Sequence, residues 1–95
     1  MIENENGRFV VRAPMTTPNA AALLAEGRRL FVQAQVLVDL SRVPEIDSSG
    51  LSLLLRWSAW ARAERRQLHF LKLDKRLESL AQLYGVNELI PRADA

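Results

Sequence analysis

Short apolar runs alternate with longer amphipathic stretches along the chain. Arg8-Phe9-Val10-Val11-Arg12 reads as a strand. It follows Asn6-Gly7, a pair suited to a tight hairpin turn, so the short piece before it is expected to pair as an edge strand. Pro14 ends the strand. Thr17-Pro18 then reads as a helix start, with Thr17 as N-cap and Pro18 at the first helical position. Ala20, Leu23, Leu24, Gly27 and Phe31 recur at helical spacing and form one apolar stripe.

Gln35-Val36-Leu37-Val38-Asp39-Leu40 is a nearly continuous, valine-rich run. Such a run suits a central strand covered on both faces or paired in parallel. A turn containing Pro44 follows, then a helical pattern from about Ser49 to Arg66. Leu68-His69-Phe70-Leu71-Lys72-Leu73 alternates like a strand. Asp74 caps a last helix that puts Leu77, Leu80, Ala81 and Tyr84 on one face, and Gly85 is placed to end it. Asn87 to Ala95 forms a tail in which Leu89, Ile90 and Pro91 are candidates for docking. The order is strand, strand, helix, strand, helix, strand, helix. Strand–helix–strand units imply right-handed crossovers and a largely parallel sheet.

Composition narrows the class. The chain has 95 residues, fitting one domain over residues 1–95, and is 48% hydrophobic and 25% charged, ordinary for a globular domain. No cysteine is present, which rules out disulfides and thiolate metal sites. Met1 to Asn6 carries acids and no apolar run, and no stretch approaches the ~20 apolar residues of a spanning helix, so a cytoplasmic protein without membrane insertion is expected. The formal charge is +2. Arg28-Arg29 and Arg65-Arg66 are read as helix-end cations that complement the helix dipole. Acids are interleaved among the cations, so no nucleic-acid stripe is expected.

The informative segment runs from the central strand into the long helix. Open α/β sheets collect binding sites at the C-terminal ends of their strands. There Asp47, Ser48 and Ser49 place side-chain oxygens beside free helix N–H groups, and Gly50 allows close backbone approach. One reading makes Asp47 or Ser48 a plain N-cap. The other makes the hydroxyl an exposed handle, where a phosphate would be favoured by the helix dipole and would disrupt a tight interface.

The helix beyond is too apolar for a single buried stripe. Leu51, Leu54, Leu55, Ser58 and Ala61 share the face expected on the sheet, and Ser52, Arg56, Ala59 and Ala63 lie opposite. Leu53, Trp57 and Trp60 fall on a flank. Trp57 suits the edge of the core. For Trp60, burial under a loop and exposure at an interface are equally open. Aromatic residues beside an arginine are favoured at protein interfaces.

These residues resemble the STAS family, the fold of bacterial anti-sigma-factor antagonists. The likeness rests on Val38-Asp39-Leu40-Ser41, on Asp47-Ser48-Ser49-Gly50-Leu51 and on the element order around them. It implies an α/β domain with a small four-stranded, mostly parallel mixed sheet, helices packed on it and no catalytic chemistry. In finer detail the chain resembles the MlaB-type STAS subunit of the phospholipid ABC transporter that maintains outer-membrane lipid asymmetry. Asp39-Leu40-Ser41-Arg42-Val43, Leu51-Ser52-Leu53-Leu54-Leu55, and Leu80-Ala81-Gln82-Leu83-Tyr84-Gly85-Val86 followed by Leu89-Ile90-Pro91-Arg92 carry that likeness. It implies a subunit that binds the transporter's cytoplasmic ATPase, supports its assembly and activity, and is held with the permease at the inner face of the inner membrane. Asp47, Ser48, Ser49, Gly50, Ser52, Leu53, Arg56 and Trp60 are the expected contact residues. The alternative is an anti-sigma-factor antagonist whose kinase-type partner phosphorylates Ser48.

Enzymatic readings find little in the chain. His69 is the single histidine and sits in an alternating strand. No third group completes a Ser48–Asp47 nucleophile, and no phosphate-cradling glycine loop is present. Neither a metal nor a cofactor is expected, and a lipid cavity is disfavoured because the apolar residues are used in packing helices on a small sheet.

Overall fold

The computed structural model describes residues 1–93; Asp94 and Ala95, the last of the predicted tail, lie outside the described residues. Strands β1 (Ile2–Glu5) and β2 (Arg8–Val11) form the hairpin predicted from Asn6-Gly7, whose two residues take φ of 56° and 86°. Helix α1 (Thr17–Leu30), strand β3 (Gln35–Asp39), helix α2 (Ser48–Ala63), strand β4 (Gln67–Leu71) and helix α3 (Lys75–Leu83) follow, with a short 3-10 turn over Asn87–Leu89. The sheet order is β1-β2-β3-β4. β1 runs antiparallel to β2, whereas β2, β3 and β4 are parallel, as the strand–helix–strand order requires.

Alternation along the strands sets which face is buried. Phe9, Val11, Val36, Val38, Leu68 and Phe70 join Leu23, Leu54, Trp57 and Leu77 in one core. On the other face Arg8, Leu37 and His69 stand in register and are half-buried. The valine-rich run is thus a central parallel strand, but with one fully covered face. Asp39, at the end of β3, is a buried acid. Burial raises its pKa, but Ser41, Arg8 and Lys72 outweigh that and leave the carboxyl below its ordinary value.

Helix boundaries follow local chemistry. Thr16, not Thr17, is the N-cap of α1, and it makes no side-chain cap bond. Thr17 is the first helical residue, which frees its hydroxyl for another partner. Arg28 and Arg29 lie in the last turn of α1 as expected. Arg65 and Arg66 instead lie beyond the C-cap Glu64 of α2, and Arg66 folds back over the Trp60 ring at 5.2 Å. Asp74 caps α3 by accepting from the Arg76 N–H at 2.8 Å, and Gly85 follows the C-cap Tyr84 with φ of 70°. In the tail, Ile90 is buried, and Pro91 and Ala93 bond to Phe70 on the free edge of β4; Leu89 stays exposed.

Trp57 joins the layers. Its indole packs edge-on to Phe31 at 5.3 Å and stacks with Phe70 at 6.5 Å, and its Nε1 donates to the Leu24 carbonyl of α1. Gly27 makes room for it. A Cβ there would meet Trp57 Nε1, lie 2.7 Å from Trp57 Cε2 and lie 2.8 Å from Phe31 Cε2. Alanine should gain about 1 kcal/mol in helix propensity, but overpacking costs about 1–3 kcal/mol. The rings on the far side of Trp57 block its retreat, so the larger figure applies. Gly27→Ala is expected to lower stability by a net of about 1–2 kcal/mol in urea denaturation. A stability gain would show that the indole shifts freely.

Candidate functional site

The connection from β3 to α2 is shaped from both ends. Met15 donates to the Glu45 carbonyl at 2.8 Å, and the Asp47 N–H donates to the Met15 carbonyl at 3.3 Å, an isolated parallel bridge that lays the loop beside the start of α1. Gly50 is needed in the first turn of α2. A Cβ there would stand 2.9 Å from the Met15 carbonyl oxygen, so the helix start could not come this close to the neighbouring backbone.

Asp47 is the N-cap of α2, with Oδ1 accepting from the Ser49 N–H at 2.8 Å. Its other oxygen reaches α1, accepting from the Thr17 N–H at 3.1 Å and the Thr17 hydroxyl at 3.3 Å. Thr17 Oγ1 and Ser49 Oγ complete the ring at 2.8 Å. One carboxylate therefore serves the N-termini of two helices. These bonds, the Thr17 N–H foremost, hold the Asp47 carboxyl below the ordinary aspartate range against the opposing effect of desolvation.

The two neighbouring hydroxyls differ in role. Ser49 is half-buried and bonded within the ring. Ser48, the first residue of α2, is exposed, and its hydroxyl has no hydrogen-bond partner among the described residues. Beside it a groove of about 540 Å³ runs between α1 and α2, lined by Thr17, Ser49, Ser52, Leu53, Arg28 and Arg56 together with three alanines and Leu24 of α1.

The family model described as "Mlab, STAS domain" matches residues 3–91. The chain belongs to this MlaB-type STAS family. Among solved structures, the anti-sigma factor antagonist SpoIIAA in its unphosphorylated form is similar at 15% identity. The match has a TM-score of 0.70 and covers 99% of this chain and 87% of that one, showing a shared fold. No match was found among curated protein sequences.

The residues predicted for the STAS contact separate into groups. Asp47, Ser48, Ser49, Gly50, Ser52 and Arg56 lie on the first turns of α2 or beside the groove, with Ser48, Ser52 and Arg56 exposed. Leu53 is only 3% exposed and belongs to the core, so it offers the groove floor and little free area. The flank that carries Leu53 and Trp57 is covered by α1 of the same chain. Trp57 is fully buried between α1 and the sheet, deeper than the edge of the core expected for it. Trp60 is half-buried under Arg66, about 18 Å along the helix from Ser48 at 1.5 Å per residue. Sequence reasoning missed Thr17 as part of the ring. Its only signal was a hydroxyl beside Pro18, equally consistent with an ordinary cap.

The Asp47 ring has a defined pH response. A carboxyl whose folded pKa is depressed contributes stability that is complete above the unfolded value. That contribution is lost as pH falls through the folded value. The stability difference between the wild type and Asp47→Ala is therefore expected to be constant near neutrality and to shrink below about pH 4. Denaturation at a series of pH values measures it. A difference that persists unchanged into acid would contradict the bonding described for Asp47.

Proposed function

We propose that this MlaB-type STAS domain is an accessory subunit of a phospholipid ABC transporter that maintains outer-membrane lipid asymmetry. It binds the ATPase subunit, supports its assembly and activity, and takes no part in the ATP chemistry. The observation that carries the reading is the free Ser48 hydroxyl at the start of α2, on a rigid two-helix platform, in a chain of the MlaB type. Asp47, Ser49 and Gly50 build the platform. Ser48, Ser52 and Arg56 present surface to the ATPase, and Trp60 widens the contact at the far end of α2. No helix among the described residues is long and apolar enough to cross a membrane, so attachment at the inner face of the inner membrane runs through the partner.

A second reading rests on the same atom. An exposed serine without a partner at a helix N-terminus is open to phosphorylation, and the SpoIIAA fold is that of an anti-sigma factor antagonist. A phosphate on Ser48 beside Asp47 would switch a contact off by charge and bulk.

Ser48→Arg tests the docking face. The side chain points outward, so the variant is expected to unfold within about 0.5 kcal/mol of the wild type. Its affinity for the purified ATPase is expected to fall by about thirtyfold or more, as for a residue at the centre of an interface. Titration calorimetry measures both proteins against the same ATPase. Unchanged affinity would remove Ser48 from the interface.

A further inference from the structure

The β3–α2 loop is held by backbone bonds at its ends but not in its middle. Ser41 N–H donates to Asp39 Oδ1 and Val43 N–H to the Leu40 carbonyl at the near end; the Met15 bridge holds Glu45 and Asp47 at the far end. Between them the Val43 and Pro44 carbonyls have no backbone partner among the described residues. Arg76, 32 and 33 residues away on α3, supplies one. Its Nη2 donates to the Val43 carbonyl and its Nη1 to the Pro44 carbonyl, both at 3.3 Å.

The guanidinium is fixed before it reaches the loop. Asp74 Oδ1 accepts from Arg76 Nε at 2.8 Å and Asp74 Oδ2 accepts from Nη2 at 2.7 Å, a two-point pairing. The same Asp74 caps α3 through the Arg76 N–H. One edge of the planar fork is thus anchored on the helix start and the other faces the two carbonyls. A lysine ammonium, a single point of charge, has no such fork. We infer that Arg76 is a positioning residue for the docking site: it fixes the loop that delivers Asp47 to its ring and Ser48 to the surface, without touching the partner. This role in binding rests on the ATPase-docking reading above; the clamp itself does not.

The test has two arms on the same protein, Arg76→Gln. In the free domain, amide exchange by NMR at Met15 and Asp47 is expected to rise about tenfold, the loss of roughly one to two loop hydrogen bonds. Exchange at Val36 in the central strand should rise no more than the fall in global stability requires. Affinity for the purified ATPase is expected to fall about five- to tenfold, while the melting temperature falls by no more than about 10 °C and the domain stays folded at 25 °C. Arg76→Lys, which keeps the charge but not the fork, is expected to resemble Arg76→Gln in both arms. Unaltered exchange at Met15 and Asp47 would overturn the clamp whatever the partner. Faster exchange with full ATPase affinity would overturn the positioning role. Full rescue by lysine would replace the fork with simple charge. If wild-type protein fails to bind the ATPase, the docking reading fails, and the exchange arm still decides the clamp.

Discussion

The fit of Trp57 against Gly27 sets the spacing of everything above the sheet. A fully buried indole occupies the seam between α1, α2 and β4, and only a residue without a side chain leaves room for it on α1. Edge-on and stacked contacts with Phe31 and Phe70 fix the ring's plane, and its N–H is used on the Leu24 carbonyl. The helices are thereby drawn together side by side. With α1 and α2 held this close, Thr17 at the start of one stands within hydrogen-bonding distance of Asp47 and Ser49 at the start of the other. The proposed docking face is a consequence of core packing about two and a half to three turns away.

That face divides its chemistry between structure and recognition. Asp47 is committed to the backbone and side chain of Thr17 and to the Ser49 N–H, which hold its carboxyl below the ordinary aspartate range. Ser49 is committed to Thr17. Of Asp47, Ser48 and Ser49, Ser48 alone has a side-chain oxygen without a partner among the described residues, displayed on a start point that Gly50, Met15 and Arg76 hold in place. A surface of this kind suits a partner that needs a rigid, shape-matched platform. It also suits a switch, because a single added charge at Ser48 meets a fixed carboxylate next door.

Much of this architecture was legible in the sequence, for identifiable reasons. Period-two and period-3.6 runs are separated by Asn6-Gly7, Pro14, Pro44 and Gly85, so element order and pairing direction followed from local rules. The Asp47-Ser48-Ser49-Gly50 motif lay in a strand–loop–helix context that fixed its place at the sheet edge. What local pattern could not reveal was which neighbour covers the second apolar flank of α2. Leu53 reads equally well as an interface residue or as core, and only the position of α1 places it in the core. Gly27 opposite a tryptophan was a usable cue to that packing. The N-cap moved from Thr17 to Thr16 because adjacent threonines before a proline are locally equivalent. The loop contact of Arg76 gave no signal, since the carbonyls it reaches lie more than thirty residues away.

The central claim is that this domain docks onto an ABC ATPase through the start of α2. Affinity isolation of the tagged protein from its native cells in mild detergent, with the bound proteins identified by mass, tests it most directly. The account predicts recovery of an ABC ATPase together with its membrane permease, and an unmodified Ser48 peptide. Recovery instead of a kinase-type anti-sigma factor, with Ser48 phosphorylated in part of the sample, would contradict it and make the same surface a phosphorylation switch.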